Sequence, residues 1–144
     1  SQNALYGIWS GDGAGAATAW TTLVGAATHW QAVNEIPPND DTSYVEATAA
    51  DQIDEYTFGN LTPTSATIPG VQISMRARKT QAGALNIARM YRNSATNFQG
   101  ANVALSTSYV SILEIIELDP DPAGLLPWTV ASLNAAEWGA RSRA

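Results

Sequence analysis

The sequence predicts an all-β fold, an antiparallel β-sandwich with one short helix near the C-terminus. Three observations lead to this prediction. Strand-like segments are short and numerous, turn residues separate them at close intervals, and a helical pattern occurs only late in the chain. With 144 residues the chain fits one domain that buries a sizeable core.

The clearest strand is predicted over the segment GVQISMRARKT. In this segment Val71, Ile73 and Met75 alternate with polar residues, two of which are Arg76 and Arg78. Side chains at successive positions of a strand point to opposite faces of its sheet. The apolar set is therefore predicted to face the core, and the two arginines are predicted to face solvent or a partner.

Further strands are predicted where short apolar or aromatic runs lie between clusters of turn residues. These runs are TSYVEA, DEYTFG, LNIARMYR and SYVSILEIIEL. The third run, with its flanking residues AGALNIARMYRNSA, also fits an amphipathic helix, and this alternative stays open. The neighbouring strands favour the extended form.

The C-terminal part predicts a loop followed by the helix. Three prolines interrupt LDPDPAGLLPWTV, and each removes a backbone donor and restricts the residue before it. The segment WTVASLNAAEWG has the pattern of a short helix, with Thr129 as N-cap and Gly139 as C-terminal stop. The final ARSRA is predicted to be a last strand or a tail.

The chain has two parts that differ in composition. Residues 1–33 contain small-residue segments such as SGDGAGAATAW, which offer too little apolar area to fold alone. They are predicted to form an N-terminal arm, an attachment segment that is ordered by what it touches. Residues 34–144 carry the strand patterns and are predicted to form the β-sandwich domain.

Charge is distributed unevenly along the chain. The net charge is −6, residues 1–75 contain eight acidic and no basic side chains, and all seven arginines and lysines occur from Arg76 onward. An acidic first half repels phosphate, so nucleic acid is not an expected partner. No stretch approaches the ~20 apolar residues of a membrane span, so a membrane is not expected as a partner either.

The acidic stretch NEIPPNDDTSYVEATAADQIDEYTF, residues 34–58, is the strongest candidate for a metal or catalytic site. Its seven carboxylates are ligands of the kind that calcium prefers, but the spacing lacks the glycine of an EF-hand loop. Asn and Asp also cap backbone donors locally, so PPNDD predicts a turn into the next strand. The stretch is therefore interpreted as turns and strand edges whose charge faces outward.

Other catalytic chemistry has little basis in the sequence. The chain contains no cysteine and one histidine, His29, and no serine lies in a GxSxG motif. Glu114 and Glu117 are three residues apart in a predicted strand, so their side chains point to opposite faces and cannot act as a pair. We therefore predict no catalytic residue, no metal and no cofactor, and a protein that is not an enzyme.

Five tryptophans allow two interpretations. They could form a platform on which sugars stack, or they could anchor the core and an interface, where indole buries a large area. No two of them lie close together on one predicted strand face, which favours anchors. The five are Trp9, Trp20, Trp30, Trp128 and Trp138.

The order of several segments resembles a widespread family of tailed-bacteriophage structural proteins. These segments are NDDTSYVEA, DEYTFGNL, ATIPGVQISMRARK and ALSTSYVSILEIIELDPDPAGLLPWTVASLNAAEWG, and they cover about residues 34–144. The chain departs from the family pattern at PPNDDTSYV, where a glycine is usual, and by a longer proline-containing insert before Trp128. The resemblance implies a jelly-roll-like sandwich and a place in a virion, without an active site.

Within this family, the length of a single sandwich is typical of a capsid decoration or cement protein, which binds and stabilises the outer face of the head. The resemblance implies the major capsid protein as partner, a homotrimer, and a location on the capsid surface after synthesis in the bacterial host cytoplasm. The alternatives are a receptor-binding or carbohydrate-binding module of a head or tail fibre, which would bind a glycan, and a tail or neck subunit. The candidate contacts with the capsid or with other subunits are Leu5, Tyr6, Trp9, Trp20, Arg76 and Arg78.

Overall fold

The computed structural model describes residues 11–61, 67–93, 96–120 and 125–144. Strands dominate this part of the chain, the paired strands in it are antiparallel, and its helices are short. The prediction of an all-β fold with a short helix near the C-terminus is therefore confirmed. The β-sandwich arrangement and its jelly-roll-like topology stay predictions.

Eleven strands and two α-helices are found in the described residues. In chain order the strands are β1 (Gly11–Thr18), β2 (Thr22–Val24), β3 (Tyr44–Glu46), β4 (Ile53–Phe58), β5 (Val71–Ala77), β6 (Asn86–Asn93), β7 (Thr96–Ala104), β8 (Val110–Ile116), β9 (Leu118–Asp119), β10 (Leu126–Pro127) and β11 (Glu137–Arg143). The helices are α1 (His29–Ala32) and α2 (Val130–Ala135). A turn of 3-10 helix, Asp40–Thr42, leads into β3.

The largest sheet contains five strands in the order β1-β4-β11-β6-β7. Its central strand is β11, which pairs with β4 on one side and with β6 on the other. The register places Tyr56, Trp138 and Tyr91 side by side on one face, which we call the core face. Glu55 and Gly139 lie side by side on the opposite face, which we call the back face.

Three two-stranded ribbons accompany this sheet in the described residues. Strands β5 and β8 pair over seven residues without a register shift, while β2 pairs with β3 and β9 pairs with β10. The β5–β8 ribbon packs on the core face of the sheet, because Val71 and Ile73 contact the buried cluster that contains Tyr91 and Trp138.

The core is an aromatic cluster between the sheet and this ribbon. The ring centre of Tyr91 lies 5.7 Å from that of Phe98, 5.3 Å from that of Trp128 and 4.9 Å from that of Trp138. Edge-to-face contacts at such distances are favourable because the positive ring edge meets the negative ring face. The indole Nε1 of Trp128 donates to the Ile116 carbonyl at 3.1 Å, so this buried donor is satisfied.

The predicted strands are confirmed. The runs TSYVEA, DEYTFG, GVQISMRARKT, LNIARMYR and SYVSILEIIEL contain β3, β4, β5, β6 and β8. The helical alternative for LNIARMYR is wrong, because β6 pairs on both sides within the sheet and this pairing outweighs helix propensity. Neither β1 nor β7 was predicted, since both are built largely of small and polar residues.

Helix α2 begins at the predicted N-cap and ends before the predicted stop at Gly139. Thr129 is the N-cap in a capping box, in which its Oγ1 accepts from the Ser132 N–H and the Ser132 Oγ accepts from the Thr129 N–H, both at 3.0 Å. Gly139 is not the helix stop, because the helix ends at Ala135 and Gly139 lies in β11. A Cβ there would lie 1.8 Å from the Asp54 carbonyl oxygen, so glycine is required by the close approach of β4. The final ARSRA belongs largely to β11, which confirms the last-strand alternative.

The described part of the predicted arm contains β1, β2 and α1. Strand β1 pairs with β4 at the edge of the five-stranded sheet, with an irregular register between Ala14 and Thr18. Helix α1 packs against β1, and Ala32 on this helix is fully buried. The small side chains of β1 permit these close contacts. The predicted boundary between arm and domain at residue 33 stays a prediction.

Candidate functional site

The β5–β8 ribbon turns one face to the core and the other to solvent. Six residues share the solvent side, which we call the ribbon face: Gln72, Ser74, Arg76, Ser111, Leu113 and Ile115. Leu113 and Ile115 are 63% and 69% exposed. Two neighbouring large apolar side chains at this exposure are unfavourable in water unless another surface covers them.

Further exposed apolar side chains follow β8 in the chain. Leu118 and Leu126 belong to the β9–β10 ribbon that follows, Leu125 precedes Leu126, and all three are exposed. Seven large apolar side chains of the described residues are exposed, and five of them lie between residues 113 and 126. Single exposed apolar residues are normal, whereas five on or next to two ribbons that follow each other in the chain indicate a binding surface for another protein.

At the other end of the ribbon, two arginines tie β5 to the turn before β3. Arg76 donates to both carboxylate oxygens of Asp40, at 2.5 and 3.1 Å, and Arg78 donates to Asp41 Oδ1 at 3.1 Å. Both guanidinium groups lie over the Tyr109 ring, with their central carbons 5.4 and 5.2 Å from the ring centre. The Tyr109 hydroxyl donates to Asp41 Oδ1 at 2.8 Å. We call this group the arginine clamp.

The arginine clamp shifts the titration of its own members. The hydrogen bonds from Arg76 hold the pKa of Asp40 below its usual value. Partial burial, followed by the hydrogen bond to Asp41, raises the pKa of Tyr109. The arginines are exposed or half-buried, as the strand alternation predicts, and each has a carboxylate partner in its own chain. Their role as contacts to another subunit stays a prediction.

The other predicted contact residues lie in the N-terminal part of the chain. Leu5, Tyr6 and Trp9 are outside the described residues. Trp20 is half-buried, and its indole Nε1 donates to the Gln52 carbonyl at 2.9 Å. This tryptophan is therefore attached to the fold, and its role in binding a partner stays a prediction.

The anchor interpretation of the tryptophans is confirmed for two of the five. Trp128 and Trp138 are 3% and 5% exposed, and their ring centres lie 5.7 Å apart in the core. Their faces are therefore covered by other side chains and are not available to stack on a sugar. Trp30 is half-buried beside β1.

An open cleft of about 1990 Å³ runs along β3 and β5. Every residue of both strands borders this cleft, so both faces of each strand contribute to its walls. Residues on both faces of a strand can line one cleft where an edge of that strand is unpaired. Among the described strands, β5 pairs only with β8, and β3 pairs only with β2. Residues that lie on the core face form part of the lining, among them Tyr56 and Phe58. We call this feature the edge cleft.

Two carboxylates of the acidic stretch are buried, so the prediction that its charge faces outward is wrong for them. Asp54 and Glu55 are 1% and 0% exposed. Asp54 lies on the core face, where it accepts hydrogen bonds from the Tyr56 hydroxyl at 2.8 Å and the Trp20 N–H at 3.2 Å. His29 Nδ1 lies 2.8 Å from Asp54 Oδ2, the oxygen that also accepts from the Tyr56 hydroxyl. These polar partners offset the loss of water around the carboxylate and join α1 to β4.

Glu55 lies on the back face in a different environment. The side-chain amide of Asn97, oriented with its nitrogen towards Glu55, donates to Oε2 at 2.8 Å. Burial, with repulsion from Glu137 and Asp54, raises the pKa of Glu55 to about 7, although Arg92 acts in the opposite direction. Because Glu55 is fully buried, this carboxyl group is not placed to meet a substrate.

The rest of the acidic stretch contains the predicted turn. The Asn39 side-chain oxygen accepts from the Ser43 N–H at 3.2 Å and from the Ser43 hydroxyl at 3.0 Å. Ser43 Oγ also lies 2.5 Å from Glu35 Oε1. The asparagine therefore caps the backbone where the chain enters β3, as PPNDD predicts.

Sequence reasoning missed Leu113 and Ile115, although a signal was present. The segment SILEII has apolar side chains at Ile112, Leu113, Ile115 and Ile116, so it lacks the alternation of a half-buried strand. Such a strand is apolar on both faces. In this fold only one of its faces is covered by the core.

Within the described ranges 11–61, 67–93, 96–120 and 125–144, no group of three or more histidine, aspartate or glutamate side chains is placed to hold a metal ion. In the same part of the chain, no helix is long and apolar enough to cross a membrane. Protein-family models, curated proteins and solved structures gave no significant match to this chain. A function therefore has to be inferred from its own residues.

Proposed function

We propose that this chain is a structural subunit of a bacteriophage virion, a capsid decoration protein that binds and stabilises the outer face of the head. The observation that carries the proposal is the exposed apolar surface formed by the ribbon face and the leucines that follow it. A small all-β subunit with such a surface suits a protein whose role is to bind another protein. The order of motifs over residues 34–144 supports the virion setting.

In this proposal the ribbon face is the docking surface. Protein interfaces have an apolar centre surrounded by a polar rim, and here Leu113 and Ile115 form the centre while Gln72, Ser74 and Arg76 form the rim. Burying one such apolar side chain contributes about 1.5–3 kcal/mol. Burying both side chains therefore contributes less than the roughly 8 kcal/mol of binding free energy that corresponds to micromolar affinity.

Because two side chains supply too little binding free energy, attachment at several points is favoured. Leu118, Leu125 and Leu126 provide further exposed apolar side chains. In addition, a homotrimer that docks three ribbon faces on the capsid lattice gains avidity, because the second and third contacts form within one complex. The proposed partner is the major capsid protein, and the proposed location is the capsid surface, reached after synthesis in the host cytoplasm. No observation favours the alternative of a glycan-binding module.

The proposal is tested by binding to empty heads of the phage that encodes the chain, prepared without this protein. Leu113→Asp and Ile115→Asp are each expected to weaken co-sedimentation at least about tenfold, because tenfold corresponds to only about 1.4 kcal/mol. Ile36→Asp is the matched control, since Ile36 is a 59% exposed apolar residue that does not belong to the ribbon face. Parent protein that does not bind heads, or ribbon variants that bind like the control, would contradict the proposal.

A further inference from the structure

Two glutamates from neighbouring strands lie close together on the back face of the five-stranded sheet. Glu55 on β4 is 0% exposed, and Glu137 on β11 is half-buried. The side-chain amide of Asn97 donates to Glu55 Oε2 at 2.8 Å. A carboxylate that is buried beside a second carboxylate has lost its water and is repelled by its neighbour, so the protonated form of Glu55 is favoured.

The Glu137 side chain crosses β4 and holds the edge strand β1. In the sheet β4 lies between β1 and β11, yet Glu137 Oε1 accepts from the Ala16 N–H on β1 at 2.7 Å. Ala16 lies between the paired residues Ala14 and Thr18, where the register with β4 shifts. A shift of this kind interrupts the regular ladder of backbone hydrogen bonds. Glu137 therefore ties the irregular part of β1 to the sheet.

The contact between β1 and the two glutamates is close. A Cβ on Gly15 would lie 2.5 Å from Glu137 Oε1 and 2.6 Å from the Glu55 carbonyl oxygen. Glycine at this position leaves room for the Glu137 carboxylate to reach Ala16. The backbone of β1 and the two glutamates therefore occupy one packed region. If the irregular part of β1 moves away, water reaches this region.

The charged groups of the surrounding strands fit this arrangement. Arg92 on β6 lies directly opposite Glu137 in the register and favours the ionised form of Glu55, whereas Asp54 on β4 acts against it. Two further charged side chains belong to neighbouring strands and have partners of their own. Asp12 on β1 accepts from the Thr57 hydroxyl at 2.8 Å, and Arg141 on β11 pairs with Asp51 at 3.4 Å.

We propose that Glu55 and Glu137 form a proton-controlled latch on the irregular part of β1, residues 15–18, which is closed while Glu55 keeps its proton and opens when Glu55 ionises. In the closed form the pKa of Glu55 is raised to about 7 by burial and by repulsion from Glu137, and opening to water returns it towards the ordinary 4.5. Opening is therefore linked to the loss of a proton. It becomes easier as the pH rises from 4.5 to about 7, by up to about tenfold per pH unit.

Hydrogen–deuterium exchange read by mass spectrometry tests the latch. The protection factor, which is the exchange rate of an unstructured peptide divided by that of the protein, removes the intrinsic effect of pH on exchange. In the parent, protection of residues 14–20 is expected to fall at least about tenfold between pH 5 and pH 8. Dilute urea should leave this protection nearly unchanged and should lower that of residues 86–93 in β6, because a local opening exposes little surface.

Two variants assign the effect to the carboxyl groups. Glu55→Gln carries no titrating proton and is expected to lose most of the pH dependence of residues 14–20. Glu137→Gln keeps an oxygen that can accept from the Ala16 N–H and removes the charge beside Glu55, so it should show a smaller dependence than the parent. Glu117→Gln is the matched control and should behave like the parent, because Glu117 is exposed.

Three results would each overturn the proposal. The first is protection of residues 14–20 that does not change between pH 5 and pH 8 in the parent. The second is a Glu55→Gln variant that keeps the full pH dependence of the parent. The third is exchange of residues 14–20 and 86–93 with the same protection and the same response to urea, which would mean that β1 opens only when the whole chain unfolds. The measurement involves no capsid, so it is independent of the test of head binding.

Discussion

Asp54 and Glu55 are neighbours in sequence that point to opposite faces of one strand and meet different environments. Asp54 accepts hydrogen bonds on the core face, where Tyr56 and the Trp20 backbone satisfy it. Glu55 lies on the back face beside Glu137, whose Oε1 accepts from a β1 backbone N–H at 2.7 Å. Burial, reinforced by repulsion from Glu137, favours the protonated form of Glu55 and explains why its pKa is raised.

Glu55→Gln tests the effect of this residue on stability. Between the ordinary pKa of 4.5 and the folded-state pKa of about 7, the folded chain keeps a proton that the unfolded chain has lost. The stabilising contribution of Glu55 is therefore full below pH 4.5 and is lost as the pH rises through about 7. The glutamine of Glu55→Gln carries no titrating proton. We therefore expect the free energy of unfolding, measured with urea, to depend less on pH between 4.5 and about 7 than in the parent. Above about pH 7 the variant should be more stable relative to the parent than it is at low pH.

Glu117→Gln is the control for the loss of one carboxylate, because Glu117 is exposed. The free energy of unfolding of Glu117→Gln should depend on pH in the same way as that of the parent. If Glu55→Gln has the same pH slope as the parent between pH 4.5 and 7, the described environment of Glu55 is incorrect.

At the scale of elements, β11 holds the large sheet together. It lies between β4 and β6, and Trp138 on this strand pairs with Tyr56 on one side and with Tyr91 on the other. The approach of β4 is close at Gly139, where a Cβ would lie 1.8 Å from the Asp54 carbonyl oxygen. Packing at this point leaves no room for a side chain.

Gly139→Ala is therefore expected to lower the free energy of unfolding by at least the ~1–3 kcal/mol typical of overpacking. Gly83→Ala is the matched control, because a Cβ on Gly83 would meet no atom within 4 Å. The control should stay within about 0.5 kcal/mol of the parent, as surface substitutions usually do. Chemical denaturation of the three proteins measures the difference, and equal stabilities would show that β4 and β11 lie farther apart.

At the scale of the whole molecule, the ribbon and the five-stranded sheet share one aromatic core, and among the described residues the ribbon face is exposed. Tyr91, Trp128 and Trp138 are buried where the layers meet. The ribbon face points away from this contact, and the edge cleft lies beside β5. Stability and proposed binding therefore depend on different residues.

This separation predicts contrasting effects of two truncations. Trp138→Ala is expected to cost about 3–5 kcal/mol of stability, because it opens a cavity in the core. Leu113→Ala should change stability by less than about 0.5 kcal/mol, since Leu113 is exposed. Guanidinium denaturation and near-ultraviolet circular dichroism provide the measurement. A Leu113→Ala variant as unstable as Trp138→Ala would mean that the ribbon face is covered within the subunit.

Local sequence patterns were enough to predict the all-β class, strands such as β5 and the helix cap at Thr129, because alternation, turn residues and caps act over a few neighbouring positions. It also predicted a virion role by resemblance, which stays a prediction. The packing of elements that are distant in sequence establishes that Glu55 is buried and that Leu113 is exposed. The reason is that strand alternation assigns side chains to two faces without specifying what covers each face. The residues that surround Glu55 include Glu137 and others that are distant from it in the sequence.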